Sequence, residues 1–206
     1  TCNQTVTVVD TQNPTITCPA NVTNIPANAG QCYATGVALG TPTTGDNCGV
    51  ATVTNNAPAQ FPVGTTTVIW TVTDVHGNTA TCNQTVTVVD TQNPTITCPA
   101  NVSNVPADAG QCYATGVALG TPTTGDNCGV ATVTNNAPAQ FSVGTTTVTW
   151  TVTDIHGRTS TCNQSVTVVD TQNPTITCPA DVTNVPADLN QCYATGVALG
   201  TPTTED

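Results

Sequence analysis

The chain has 206 residues, with one Arg, no Lys, twelve acidic residues and a formal charge of −11. No basic patch exists to displace counterions, which excludes nucleic acid as a partner and argues against an anionic membrane surface. The absence of Lys also excludes Lys–Asn isopeptide cross-links, so solubility is left to Thr, Asn and Gln side chains or to attached sugar.

Thr1–Ala20 reads TCNQTVTVVDTQNPTITCPA. It returns unchanged at Thr81–Ala100, and with Ser165 as its one change at Thr161–Ala180. A period of 80 residues fits one small all-β domain per repeat. An array supplies length and many copies of one surface, and a single buried active site needs neither. The sequence divides into Thr1–Val9 as the last strand of a preceding repeat, Asp10–Val89 as repeat one, Asp90–Val169 as repeat two, and Asp170–Asp206 as the N-terminal part of a third. It reads as a window on a longer array, with no membrane insertion within that window.

Within repeat one, strands are expected at Pro14–Cys18, around Val22–Ile25, at Gln31–Leu39 and at Val50–Asn55, with Gly40–Asn47 as a polar loop. In Thr65–Asp74, Val68, Trp70 and Val72 share one face, while Thr67, Ile69, Thr71 and Thr73 share the other. Repeat two carries Thr149 in place of Ile69 and keeps Trp150, which sets Trp inward. Asp74–Asn78 makes a turn. Thr79–Val89 follows, with Cys82, Val86 and Val88 on one face and Asn83, Thr85 and Thr87 on the other, so the two strands form a hairpin. Six or seven short strands in one repeat predict an all-β chain of tandem immunoglobulin-like β-sandwiches in an elongated array. An eleven-residue last strand plus a junction gives each repeat a length of about 35–45 Å.

The cysteines follow the repeat. Repeat one holds Cys18, Cys32, Cys48 and Cys82; repeat two holds Cys98, Cys112, Cys128 and Cys162; Cys2, Cys178 and Cys192 belong to the flanking parts. Four per small unit, without a CxxC pair, read as disulfides made outside the cytosol.

The motifs TITCPANV, GQCYATGVAL, DNCGVATVT, FPVGTTTVIWTVTD and HGNTATCNQTVTVVD, in that order, resemble the hyalin repeat (HYR) domain, and its bacterial four-cysteine form in particular. The resemblance covers both full repeats and the partial third. It implies an immunoglobulin-like sandwich in extracellular, often adhesive or matrix-like proteins, and no catalytic activity. For such a sandwich the expected pairing is first with last and the middle two: Cys18–Cys82 with Cys32–Cys48, and Cys98–Cys162 with Cys112–Cys128. A Cys178–Cys192 bond would be the contrary scheme.

Acidic residues recur at three positions per repeat: Asp10, Asp46 and Asp74, then Asp90, Asp126 and Asp154. In immunoglobulin order the turn before the last strand lies at the pole where the first strand begins. Asp10 and Asp74 are therefore expected near each other at a domain junction, with Asp46 or Asn47 adding oxygens. Hard oxygen ligands suit Ca²⁺, although it takes 6–8 of them. The alternative is that Asp10 caps a turn and Asp74 opens one, as Asp does routinely. Sequons stand at Asn3, Asn21, Asn83, Asn101 and Asn163, and Thr makes up about a quarter of the chain, which invites N- or O-linked sugar. N-x-T also arises by chance in a chain this rich in Asn and Thr.

His76 and His156 lie in the hairpin turns with no nucleophile nearby, so no catalytic constellation is expected. The outward Thr rows are accounted for by inward Val, without an ice-binding role. The expected function is a structural repeat of an extracellular fibre, filament or cell-surface stalk. Its partners would be neighbouring copies, laterally or end to end. The alternative is an adhesion or recognition module for glycan or a partner protein.

Overall fold

The computed structural model describes residues 1–206, and every regular element in it is a strand. Repeat one contains β1 (Thr15–Thr17), β2 (Val22–Pro26), β3 (Tyr33–Ala34), β4 (Thr43–Gly45), β5 (Val50–Asn55), β6 (Phe61–Pro62), β7 (Gly64–Asp74) and β8 (Thr79–Val89). One sheet runs β2-β8-β7-β5, and the short pairs β1-β4 and β3-β6 lie outside it. The long hairpin β7–β8 carries the core because alternation puts Val68, Trp70, Val72, Val86 and Val88 on one face, where all are buried. Phe61, Ala34 and Ala27 pack against them, with Cys18 and Cys82 alongside.

Repeat two reproduces this plan in β9 (Thr95–Thr97), β10 (Val102–Pro106), β11 (Tyr113–Thr115), β12 (Thr123–Gly125), β13 (Val130–Asn135), β14 (Gln140–Ser142), β15 (Gly144–Asp154) and β16 (Thr159–Val169), with sheet order β10-β16-β15-β13. β17 (Thr175–Thr177) and β18 (Thr203–Glu205) pair in the third repeat. The chain forms two compact units whose borders cut across the repeats. The first is Thr1–Thr97 with Thr123–Thr134 and Thr151–Thr161, so it takes in repeat one and the leading end of repeat two. The second is Cys98–Pro122 with Asn135–Trp150 and Cys162–Asp206.

Thr1–Val9 is not in a strand, and Val8 is 90% exposed; its copy, Thr81–Val89, is held by ladders to β7 and β2 on its two sides. Two sequence expectations are corrected. Gln31–Leu39 contributes only Tyr33–Ala34 as strand, whereas the expected loop Gly40–Asn47 supplies β4, which pairs with β1. The two expected first strands form as β1 and β2, and β2 runs parallel to β8 past an irregularity between Val22 and Ile25. Asn24 sits there at φ 58°, a left-handed conformation that Asn tolerates better than most residues.

Both sheets share one feature that alternation alone concealed. Gln84 lies on the inward face between Cys82 and Val86 and is fully buried. It accepts from Trp70 Nε1 at 3.0 Å and donates through Nε2 to Ala20 O (2.7 Å) and Leu39 O (2.8 Å). Gln164 does the same with Trp150, Ala100 and Leu119. One amide thus satisfies the buried indole N–H and ties two loop carbonyls to the sheet.

Candidate functional site: an acidic cluster beside an inter-repeat disulfide

Each repeat has a leading pole, where its first residues lie against the β7–β8 or β15–β16 turn, and a trailing pole, where it runs out past Val89 or Val169. At the leading pole of repeat two, Asp90, Asp126 and Asp154 each place one carboxylate oxygen within 4.8 Å of the other two. Local turn chemistry positions them. Asp126 Oδ2 accepts from Cys128 N (2.8 Å) and Gly129 N (2.9 Å), and Gly129 takes φ 119°, which few other residues could. Asp154 Oδ1 accepts from His156 N (2.7 Å) and Arg158 N (2.9 Å). Asp90 Oδ1 accepts from Gln92 N (3.0 Å) and from Asn127 Nδ2 (3.3 Å), while His156 Nδ1 lies 3.1 Å from Asp90 Oδ2.

These bonds use one side of each carboxylate. Asp126 Oδ1, Asp154 Oδ2 and Asn127 Oδ1 are buried without a hydrogen-bond partner. Asp154 as a whole is only 2% exposed. Buried carboxylate oxygens without a donor are costly unless something positive meets them. The leading pole of repeat one repeats the arrangement with Asp10, Asp46 and Asp74, again within 4.8 Å. Asp46 Oδ1 has no hydrogen-bond partner there, and Asp10 Oδ2 has only His76 Nδ1, at 3.4 Å. Asp74 Oδ2 instead accepts from the Asn78 amide at 2.8 Å.

Burial pushes the Asp90 carboxyl up, but the Gln92 amide, Asn127 and His156 outweigh it and hold the group below the usual carboxylate range. Burial likewise raises Asp74, and bonds from Asn78 and the His76 backbone more than offset it. Asp10 is lowered chiefly by the Gln12 backbone N–H. The Cys48 thiol is pushed up, first by its contact with Asp10.

The disulfides correct the expected scheme in part. Cys18 bonds Cys82 and Cys98 bonds Cys162. Cys32 does not bond Cys48; it bonds Cys128, 96 residues away, with Cα atoms 4.7 Å apart. The reason is polarity. Cys32 sits at the trailing pole, next to Gly30, whose N–H bonds the Gln92 side chain, whereas Cys48 sits at the leading pole beside Asp10 and Asn47. The two sulfurs are at opposite ends of one sandwich. A trailing-pole cysteine meets the leading-pole cysteine of the following repeat, so the expected Cys112–Cys128 bond does not form either. Cys2, Cys48, Cys112, Cys178 and Cys192 are free and exposed, which also leaves Cys178 and Cys192 unbonded to each other. Asn127 reinforces the junction by donating to Gln31 O at 2.9 Å.

All five sequon asparagines are exposed. Asn83 and Asn163 lie on the outward faces of β8 and β16. Asn21 and Asn101 accept from the backbone of Thr85 and Ser165, which holds their side chains in place.

The fold and its junction define a class: tandem immunoglobulin-like sandwiches, each closed by an internal disulfide, with consecutive repeats bonded to one another. The HYR domain matches at residues 9–88 and again at 89–168, and the chain belongs to the HYR domain family. It is 36% identical over 189 residues to hyalin from Lytechinus variegatus, covering 86% of this chain and 35% of that protein. A hyalin from Strongylocentrotus purpuratus is also 36% identical, over 86% of this chain and 16% of its own length. A sushi, von Willebrand factor type A, EGF and pentraxin domain-containing protein from Rattus norvegicus is 28% identical over 80% of this chain and 5% of its own. The chain thus spans about a third or less of the curated relatives it matches. Among solved structures, Drosophila N-cadherin EC1-4 is similar over 78% of this chain and 50% of that one, at 11% identity and a TM-score of 0.42.

Proposed function

We propose that this chain is a structural module of the four-cysteine HYR type, repeated to build an extracellular fibre, filament or cell-surface stalk and stiffened at its junction by Ca²⁺. The single observation that carries the reading is the Cys32–Cys128 bond, which fastens consecutive repeats beside a cluster of partnerless buried oxygens. A module whose task is recognition has no need to bond itself to its neighbour, and the disulfides fit an oxidising compartment.

The donor set fits a hard cation. Asp90, Asp126 and Asp154 supply carboxylates and Asn127 a carbonyl, the oxygen chemistry Ca²⁺ takes. A softer metal would want the Asp90, Cys128 and His156 group, but Cys128 is spent in the disulfide. A bound Ca²⁺ would offset two of the three close carboxylate charges and lock Asp90, the first residue of the linker, to the body of repeat two. Calorimetry on the oxidised chain should show calcium binding at one junction site. No uptake at millimolar calcium would overturn the metal part of this reading. Electron microscopy of native material tests the rest, with axially repeating globules in regular filaments as the expected result. Exposed Asn83 and Asn163 are the proposed glycan positions, and an intact mass equal to the peptide less its disulfide hydrogens would refute them.

A further inference from the structure

The leading pole of repeat two is closed by repeat one, and one of its amides takes its direction from that neighbour. Asn127 Nδ2 donates to Gln31 O of repeat one at 2.9 Å and to Asp90 Oδ1 at 3.3 Å. Both partners only accept, so turning the amide over would set its carbonyl against two oxygens. Asn127 Oδ1 is left facing away from both, buried and without a hydrogen-bond partner. Asp126 Oδ1 and Asp154 Oδ2 are the other buried oxygens without a donor at this pole. Asp154 is 2% exposed, so bulk water does not compensate it.

Asp90 is tied to repeat one as well. Its Oδ1 accepts from Gln92 N (3.0 Å), and the Gln92 side chain accepts from Gly30 N (2.9 Å) and donates to Asn28 O (3.2 Å). Gly30, Gln92, Asp126 and Asn127 line one surface groove, so an ion entering there meets both repeats at once. The Cys32–Cys128 bond joins the residue after Gln31 to the residue after Asn127. It thereby fixes the distance across which Asn127 reaches Gln31 O.

We infer that Asn127 is the residue through which repeat one governs the cation site of repeat two. Gln31 O holds the amide so that Oδ1 serves as a fourth, neutral ligand, and the Cys32–Cys128 bond holds Gln31 O in place. This rests on the calcium reading above and adds its regulation. Calcium affinity and the inter-repeat bond are linked, and such linkage is reciprocal. Breaking the disulfide frees Gln31 from Asn127, lets the amide rotate and weakens calcium. Saturating calcium makes the disulfide harder to reduce by the same factor. Each tenfold in calcium affinity corresponds to about 30 mV in the potential of this two-electron couple. With dithiothreitol as reductant, one thiolate attacks Cys32 or Cys128, expels the other cysteine as thiolate and leaves a mixed disulfide. The second thiolate closes the cyclic dithiothreitol disulfide and expels the remaining cysteine, so the protein gains two electrons and ends with two thiols.

The test uses the full chain with Cys2, Cys48, Cys112, Cys178 and Cys192 replaced by Ser and its three disulfides verified by peptide mapping. Calcium affinity at this junction is read from the Gly129 and His156 amide resonances, whose N–H groups donate to Asp126 and Asp154. The double variant Cys32→Ser/Cys128→Ser should bind calcium several-fold more weakly. With Asn127→Ala added, the affinities with and without the disulfide should agree within about twofold. Asn127→Asp keeps an oxygen for the ion but cannot donate to Gln31 O, so it should bind calcium and also lose the dependence on the disulfide. In a dithiothreitol redox buffer, saturating calcium should shift Cys32–Cys128 toward the disulfide by the factor that the disulfide adds to calcium affinity. Calcium affinity indifferent to the disulfide, or an equal loss with and without Asn127, would overturn the proposal and leave the calcium reading intact. No calcium binding to the oxidised chain would overturn both.

Discussion

The two leading poles carry nearly the same residues and end in different states. At the pole of repeat two the Asp90 side chain is fully buried and His156 is 30% exposed; at the pole of repeat one the corresponding values are 6% for Asp10 and 49% for His76. Asn127 reaches Gln31 O of the preceding repeat as well as Asp90, while Asn47 reaches Asp10 and its neighbour Cys48 Sγ. Cys128 is a disulfide and Cys48 a thiol. One substitution adds to the contrast. Asn78 turns its amide onto Asp74 Oδ2, whereas Arg158 reaches Asp90 O (3.0 Å) and Asn93 (3.2 Å) and leaves Asp154 Oδ2 without a partner. The same acidic triad is thus half-satisfied by its own repeat at one pole. At the other it is covered by the trailing face of the preceding repeat and keeps its oxygens free. The site of repeat two is completed by its neighbour, through the Cys32–Cys128 bond and the Asn127 contact to Gln31 O.

The comparison requires that the two sandwiches be equivalent away from their poles. Gln84→Ala and Gln164→Ala should each cost about 2–4 kcal/mol, since each orphans a buried indole N–H and two carbonyls. Unequal losses by denaturant unfolding would mean that the repeats differ in their cores, and the polar contrast would lose its control. Next in size, Asp154→Asn should weaken calcium binding at the junction at least about tenfold by removing a charged ligand, while Asp74→Asn should leave that affinity unchanged. Equal effects by calorimetry would erase the distinction between the poles. Cys32→Ser should bring the closed pole toward the open one, raising solvent exchange at the Asn127 and Cys128 amides and weakening calcium several-fold. Junction amides as protected as before would show that packing alone closes the contact.

The smallest effect is shared by both poles. Asp10, Asp74 and Asp90 all titrate below the ordinary carboxylate value of 3.8 in the folded chain. A lowered folded value means that the unfolded chain binds protons first as the solution is acidified. Their stabilisation is therefore present above about pH 4 and lost as the pH falls through the folded values. Melting temperature in chelator should be flat from about pH 7 to 5 and decline below about pH 4. A rise on acidification would mean that carboxylate repulsion dominates both clusters.

Alternation and repetition make the β7–β8 hairpin readable from residues alone, because a Val-x-Trp-x-Val face has few other places to go. The meeting of Asp10 with Asp74 is readable too, since immunoglobulin order puts the last hairpin turn at the leading pole. Gln84 was hidden because a lone amide among inward Val and Cys looks like an outward residue misplaced by one. Only the loop carbonyls it bonds, 45 and 64 residues away, explain it. The Cys32–Cys128 bond was hidden for another reason. Periodicity is blind to whether two cysteines meet within a repeat or across one. The answer lies in which pole the GQC and DNC loops occupy, and that follows from the short ladders β1-β4 and β3-β6 that the Thr-rich pattern did not announce.

The Cys32–Cys128 bond also alters what happens when such a chain is pulled. A covalent path now runs from residue 32 straight to residue 128, so tension arriving from either side bypasses the intervening stretch, including the linker after Asp90. At about 3.5 Å per extended residue, the bypassed stretch holds roughly 300 Å of slack. Oxidised, the junction is a short tether that a break in the linker would not part. Reduced together with Cys18–Cys82 and Cys98–Cys162, it pays out that slack once repeat one and the leading end of repeat two unfold, so a thiol reagent would act on the extensibility of the material before it acted on its continuity.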